Sequence, residues 1–96
     1  MITQYDKNGF RIDFINGYSI SVIWHTGSYS DNRADNMPTS STVEVGIFPT
    51  ADGTNKFIRP DYRFEPEETN DPIPYVEMEL LAKLIAWTQG LRSVTP

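Results

Sequence analysis

The 96-residue sequence is long enough for one hydrophobic core, and its 39% hydrophobic residues predict a folded chain rather than a disordered one. It has no cysteine, which excludes disulfides and thiolate metal sites, and its net charge of −5 argues against direct nucleic-acid binding, which requires a basic surface. No stretch approaches the roughly 18 apolar residues of a membrane span. The N-terminus lacks the basic region followed by an apolar region that is typical of a signal peptide. We therefore expect a cytoplasmic protein without membrane contact.

Apolar and polar residues alternate on both sides of Asn16-Gly17. This period of two around an Asn-Gly pair predicts a β-hairpin over residues 10–24 with a type I′ turn, in which both central residues have positive φ. One face is apolar and is expected to meet the core; it consists of Phe10, Ile12, Phe14, Tyr18, Ile20, Val22 and Trp24. The other face is expected to meet water and bears Arg11, Asp13, Ser19 and Ser21.

Residues 25–41 contain few apolar side chains and predict a long loop, which inside a compact domain is usually functional or disordered. The candidate binding residues at its start and within it combine flat rings, polar groups and one cation; they are Trp24, His25, Tyr29, Ser30, Asn32 and Arg33. The rings could stack on a ligand or fill a partner's pocket, and Arg33 could bind a phosphate or carboxylate. The alternative is structural, with Asp31 and Asn32 capping turns and Arg33 paired to Asp31 or Asp35 to fix the loop.

A second hairpin is predicted downstream of the loop. Alternating residues over 42–48 predict a strand, residues 51–54 predict its turn, and residues 56–59 predict a short returning strand. Pro60 ends this strand because proline cannot donate a hydrogen bond to a sheet.

The last third of the chain begins with four prolines and several acids over residues 60–74, which predict a loop. A helix is predicted over about residues 77–89, with Gly90 as a natural terminator and a frayed tail over residues 91–96. Its apolar arc consists of Met78, Leu80, Leu81, Leu84, Ile85 and Trp87.

These elements predict one α+β domain over residues 1–96. Two β-hairpins form an antiparallel sheet of about four strands, and one C-terminal helix packs on it. The exposed edges of such a sheet, in so small a chain, favour a homo-oligomer, most simply a homodimer that shares part of its core.

Acidic residues are concentrated in one segment. Between Asp61 and Glu79 there are seven carboxylates and one base, Arg63. Two interpretations remain open: a solvated loop and helix start, or a negative patch that meets a basic partner. The residues of that acidic patch are Asp61, Glu65, Glu67, Glu68 and Asp71.

The sequence contains no assembled catalytic or metal site. His25 is its one histidine, and no metal-ligand spacing surrounds it. Ser28 does not sit in a nucleophile elbow because no second glycine follows it in register, and no glycine-rich phosphate loop is present. We therefore expect a non-enzymatic protein with no metal and no cofactor.

The most specific pattern in the sequence consists of Phe14-x-Asn16-Gly17-Tyr18-x-Ile20-Ser21-Val22 and Gly27-x-Tyr29-x-Asp31-Asn32-Arg33. Together these runs resemble a family of small bacteriophage proteins of uncharacterised role. The likeness continues through the strand ending at Phe48, the Asp52-Gly53 turn and Tyr75. The sequence departs from the family at Ser30, where a cysteine is usual, and at Trp24-His25. The resemblance implies a phage or prophage origin but no mechanism.

A phage origin favours two hypotheses. In the first, the chain is a counter-defence inhibitor in the host cytoplasm that docks on a host defence protein through its acidic segment or sequesters a nucleotide-like small molecule in a pocket of the loop. In the second, it is an accessory or structural phage protein with no counter-defence role.

Overall fold

The computed structural model describes residues 1–51 and 56–93, which form seven β-strands and one α-helix. The predicted α+β class is confirmed, but the sheet has more strands than the four expected. In chain order the elements are β1 (Ile2–Gln4), β2 (Gly9–Asp13), β3 (Tyr18–Ile23), β4 (Thr42–Pro49), β5 (Phe57–Pro60), β6 (Pro66–Thr69), β7 (Ile73–Glu77) and α1 (Met78–Gln89). The predicted turn over 51–54 lies mostly outside the described residues, as does the end of the predicted frayed tail.

The strands form one antiparallel sheet in the order β1-β2-β3-β4-β5-β6, with β7 also paired to β4. β4 is the central strand. One of its edges pairs with β3, and its other edge is divided between two partners. β7 occupies the first half of that edge, and β5 joins the second half through the pair Ile47–Ile58.

The prediction of a loop over residues 60–74 was wrong in part, because β6 lies within this segment and β7 begins at its end. β6 is an edge strand that begins at Pro66, a position where proline and acidic side chains are tolerated. β1, the third strand that was not predicted, is a three-residue edge strand whose side chains are all exposed.

β7 contains a bulge. Between the pairs Val43–Val76 and Val45–Ile73, two residues of β7 oppose one residue of β4. One of the two is Tyr75, whose φ is +50°, a value that is uncommon for an aromatic residue. The bulge breaks the period of two, which explains why alternation did not reveal this strand.

The first predicted hairpin is confirmed as β2 and β3, but its turn is not type I′. Gly17 has a φ of +89°, whereas Asn16 is not among the residues of positive φ. The Gly17 N–H donates to the Phe14 carbonyl at 3.1 Å, and the Phe14 N–H donates to the Tyr18 carbonyl at 2.8 Å. The loop therefore has three residues, with glycine in the left-handed conformation at its end.

The Asn16 side chain explains this different turn, because it binds the end of the helix. Its amide nitrogen lies 2.9 Å from the Thr88 carbonyl, 3.2 Å from that of Gln89 and 3.0 Å from that of Leu91. Asn16 is buried. Gly90 follows the helix with a φ of −86°, so it does not adopt the left-handed cap expected of it, and Asn16 satisfies the terminal carbonyls instead.

The core lies between the apolar face of the sheet and α1. The helix contributes Leu84, which is 3% exposed, and packs Leu81, Ile85 and Trp87 against it, as predicted. Fewer residues of the predicted apolar arc are buried than expected, because Met78 and Leu80 are exposed. The buried residues of the core are Ile20, Val22, Val43, Val45, Ile47, Val76 and Leu84.

We predict that Leu84→Ala lowers the free energy of unfolding by about 2–5 kcal/mol, the usual cost of truncating a buried leucine. Leu80→Ala, in the same helix, should cost less than about 1 kcal/mol because Leu80 is 45% exposed. Urea denaturation of both variants measures the difference. Equal losses would contradict the assignment of the buried helix face.

The second face of the hairpin is not simply solvated, contrary to prediction. Ser19 is completely buried, and its hydroxyl lies 2.5 Å from an Asp13 carboxylate oxygen and 2.6 Å from the Thr50 hydroxyl. The Arg11 guanidinium donates to the same Asp13 oxygen at 2.6 Å and lies over the Phe48 ring. Phe48 of β4 and Thr50, just after β4, therefore cover part of this face.

These hydrogen bonds from Ser19 and Arg11 lower the pKa of Asp13. Because its folded pKa lies below the unfolded value, its stabilisation is complete above the ordinary carboxyl pKa and is lost as pH falls through the folded pKa. We predict that Asp13→Asn lowers the free energy of unfolding by roughly 1 kcal/mol at neutral pH. The variant should also lose less stability than the wild type when the pH falls, because it has no carboxylate to protonate at this position. Thermal unfolding between neutral and acidic pH measures it. Asp6→Asn, an exposed carboxylate, is the control, and equal effects in both variants would contradict the assignment.

Candidate functional site

The loop over residues 25–41 has no regular secondary structure, but hydrogen bonds fix its path. Asn32 is buried at the centre of this network. Its amide nitrogen donates to the Trp24 carbonyl at 2.7 Å and to the Met37 carbonyl at 2.6 Å, while its side-chain oxygen accepts from the Met37 N–H at 2.7 Å. Asn32 thus joins both ends of the loop and presents no free polar group to a ligand.

Two buried serines support the first half of the loop. The Ser28 hydroxyl donates to the His25 carbonyl at 2.6 Å, and it lies 2.9 Å from the Ser30 hydroxyl oxygen. Ser30 also accepts from the Asn32 N–H at 3.3 Å. Ser30, one of the candidate binding residues, is therefore part of the loop's interior.

Tyr29 and Arg33 are brought together on the outside of the loop. The Arg33 guanidinium lies 4.8 Å from the centre of the Tyr29 ring, and it donates to the Gly27 carbonyl at 2.9 Å. Both side chains are exposed. The predicted ion pair of Arg33 with Asp31 or Asp35 is not among those formed by the described residues; Asp31 instead accepts from the Ser41 hydroxyl.

The backbone of Tyr29 is attached to the sheet. Its N–H donates to the Glu44 carboxylate at 2.9 Å, and its carbonyl accepts from the Tyr75 N–H at 2.8 Å. Tyr29 and Tyr75 are each 49% exposed. We call Tyr29, Arg33 and Tyr75 the tyrosine–arginine surface. Tyr75 was not among the predicted site residues, because only the fold brings it beside the loop.

Trp24 and His25 lie at the start of the loop. The Trp24 ring packs edge-on against Phe10, and its indole N–H donates to the Pro38 carbonyl at 3.1 Å. The Nδ1 of His25 lies 2.8 Å from the Thr26 carbonyl oxygen, which can only accept, so Nδ1 carries the proton in that bond. Trp24 therefore packs against the core and holds the second half of the loop.

The acidic patch lies on a different part of the molecule, the hairpin formed by β5 and β6. We call residues 57–71 the β5–β6 arm. Asp61 is at its turn, Glu65 follows the turn, and Glu67 pairs with Arg59 across the two strands at 3.5 Å. Asp71 follows β6, and Glu68 is exposed on β6. Glu67 and Glu68 thus lie in a strand, whereas Asp61, Glu65 and Asp71 lie in the turn and just after β6.

The described residues do not assemble a metal centre: over 1–51 and 56–93, no group of three histidine, aspartate or glutamate side chains could hold a metal ion. Within the same ranges, α1 is too short and too polar to cross a membrane. Comparison of the chain with protein-family models, with curated proteins and with solved structures gave no match. The resemblance to small phage proteins therefore stays a prediction.

We predict that two neighbouring loop residues differ sharply in their effect on stability. Asn32→Ala should lower the free energy of unfolding by about 2–4 kcal/mol, because it leaves buried backbone groups unpaired. Arg33→Ala should cost about 1 kcal/mol or less, since its hydrogen bond and ring contact are exposed. Denaturant unfolding compares them, and a larger loss for Arg33→Ala would show that the arginine rather than the asparagine fixes the loop.

Proposed function

We propose that this chain is a small phage-encoded, non-enzymatic binding protein that docks on a host defence protein in the host cytoplasm and inhibits it. The observation that carries the proposal is the exposed Tyr29–Arg33 pair, displayed on a loop whose buried side chains Ser28, Ser30 and Asn32 bond within the loop and its flanks. Self-association of the chain through its exposed strand edges stays a prediction beside this proposal.

The composition and rigidity of the tyrosine–arginine surface support docking on a protein. Tyrosine and arginine are enriched among the residues that dominate binding energy at protein interfaces. Arg33 is held over the Tyr29 ring, and Tyr29 is fixed by hydrogen bonds to Glu44 and Tyr75. Because these groups are already ordered, little conformational entropy is lost when a partner binds.

The shape of the surface favours a protein partner over a sequestered nucleotide. Small-molecule sites are usually concave and enclose most of their ligand. The tyrosine–arginine surface lies outside five grooves of about 300 Å³ to 540 Å³ on the described part of the molecule, which are lined by other residues. Tyr29 and Arg33 could stack on a base or bind a phosphate, but they do not surround one.

We predict that Tyr29→Ala and Arg33→Ala each reduce capture of the host target at least tenfold while the chain stays folded. The experiment uses affinity-tagged chain and host lysate, with captured proteins identified by mass spectrometry and circular dichroism checking each variant. Arg33→Lys should restore capture only in part, because lysine keeps the charge but lacks the planar group that stacks on tyrosine. Lys83→Ala, on the exposed face of α1, is the matched control.

The outcomes separate the remaining hypotheses. Wild-type capture by both alanine variants would contradict the proposed surface. A nucleotide released from the purified chain, and absent from the two variants, would instead support sequestration. Failure of the wild-type chain to capture a stoichiometric partner or to retain a small molecule would favour the accessory or structural phage protein.

A further inference from the structure

The β5–β6 arm ends in a tightly organised turn. One Asp61 carboxylate oxygen accepts from the Arg63 N–H at 2.7 Å and from the Glu65 N–H at 3.0 Å. The Asp61 N–H donates to the Glu65 carbonyl at 2.8 Å, and the Phe64 N–H donates to the Asp61 carbonyl at 3.0 Å. These bonds fix the turn from within the arm.

This turn displays two aromatic rings to solvent. Tyr62 is 87% exposed and Phe64 is 74% exposed, although both are large enough to contribute to a core. Phe64 also has a φ of +61°, a conformation that favours glycine or asparagine. The Trp87 indole N–H donates to the Phe64 carbonyl at 2.7 Å, so the turn is attached to α1.

Grooves lie on both sides of this attachment, between the arm and the helix. The first has a volume of about 540 Å³, and its apolar lining includes Tyr18, Phe64, Trp87 and Leu91. The second has a volume of about 350 Å³, and its apolar lining includes Pro60, Tyr62, Ile73 and Leu80. Each groove could therefore receive a single apolar side chain from a partner, beside one of the two exposed rings.

The arm that carries the exposed rings is negatively charged overall, although Arg92, outside the arm, lines the first groove. Residues 57–71 carry five carboxylates and two guanidinium groups. Arg59 is engaged by Glu67, and the Arg63 guanidinium lies 5.4 Å from the centre of the Tyr62 ring. The carboxylates that remain give the arm a net negative field, which attracts a basic partner and repels an acidic one.

We propose that the aromatic tip of the β5–β6 arm is a docking site for a basic polypeptide segment. An apolar side chain of that segment enters a groove beside Tyr62 or Phe64, while its lysine or arginine residues contact the carboxylates of the arm. A second copy is a poorer occupant because two acidic tips repel each other. Anionic lipid and nucleic acid are repelled for the same reason.

This site uses residues other than the tyrosine–arginine surface and does not depend on the proposed function. The probe is a nine-residue peptide of alternating arginine and leucine. Two matched peptides isolate its parts: one replaces leucine with serine, and the other replaces arginine with glutamate. Binding is followed in ¹H–¹⁵N correlation spectra, where the two tryptophans give separate indole signals and Trp24 is the internal control for Trp87.

We expect the arginine–leucine peptide to shift the Trp87 indole signal and the amide signals around Phe64, and to leave the Trp24 signal unchanged. The arginine–serine peptide should bind at least fivefold more weakly because it supplies no apolar side chain, and the glutamate–leucine peptide should not bind. Tyr62→Ser/Phe64→Asn should weaken binding at least tenfold, since asparagine tolerates positive φ and both changes remove a ring.

A charge-matched pair of variants tests the carboxylates. Glu65→Gln/Glu68→Gln should weaken binding about three- to tenfold, whereas Glu77→Gln/Glu79→Gln, with the same loss of charge away from the arm, should change it less than twofold. Equal effects of the two pairs, unchanged binding by Tyr62→Ser/Phe64→Asn, or no binding at millimolar peptide would each overturn the proposal.

Two further measurements test whether the partner belongs to a class other than a basic polypeptide segment. Co-sedimentation with phosphatidylcholine vesicles that is lost in Tyr62→Ser/Phe64→Asn would assign the tip to a membrane surface. A dimer in sedimentation velocity that the same variant dissociates would assign it to a second copy. Either result would overturn the proposed basic segment, and absence of both leaves the peptide titration to support it.

Discussion

The contact on which the architecture depends is the bond between the turn of the first hairpin and the end of the helix. The Asn16 amide reaches the carbonyls of Thr88 and Gln89 in the last turn of the helix and that of Leu91 just beyond it. This contact fixes where α1 ends above the sheet. With that end fixed, Leu84 enters the core and the Trp87 indole reaches the Phe64 carbonyl of the β5–β6 arm. One buried amide therefore connects the hairpin, the helix and, through the helix, the arm.

A second buried asparagine organises the long loop by the same principle. Asn32 supplies donors and an acceptor to backbone groups that have no strand or helix to pair with. Buried backbone groups without partners are costly, so a loop of this length needs such substitutes if it is to be ordered. Because Asn32 and Ser30 serve the interior, the binding proposed for the loop rests on Tyr29 and Arg33. Structural and binding interpretations of the loop thus apply to different residues.

The sequence predicted the elements in which apolar residues recur at a regular period. Alternation revealed β2, β3 and β4, and the helical arc located α1, because in each of these elements the residues that reach the core are spaced at the strand or helix repeat. The periodicity of the sequence did not reveal β6, which is an exposed edge strand, or β7, which is interrupted by the bulge at Tyr75. The role of Asn16 was also missed, whereas the structural alternative for the loop had Asn32 capping a turn. Asn16 acts across more than 70 residues of chain, and a side chain that caps a distant element leaves no local pattern.

The two proposed surfaces share an unusual feature of the backbone. Among the described non-glycine residues, positive φ occurs at Asn36, Phe64 and Tyr75. Asparagine is a common occupant of this conformation, whereas an aromatic residue there is strained and persists only if its surroundings fix it. Phe64 is 74% exposed, so burial of its ring does not compensate the strain, and the burial of Tyr75 is only partial at 49% exposure. At Phe64 the Asp61 carboxylate and the Trp87 indole hold the turn, and at Tyr75 the Tyr29 carbonyl accepts the backbone N–H. An exposed aromatic ring at a strained position contributes little to folding, and this observation supports the proposal that both surfaces contact a partner.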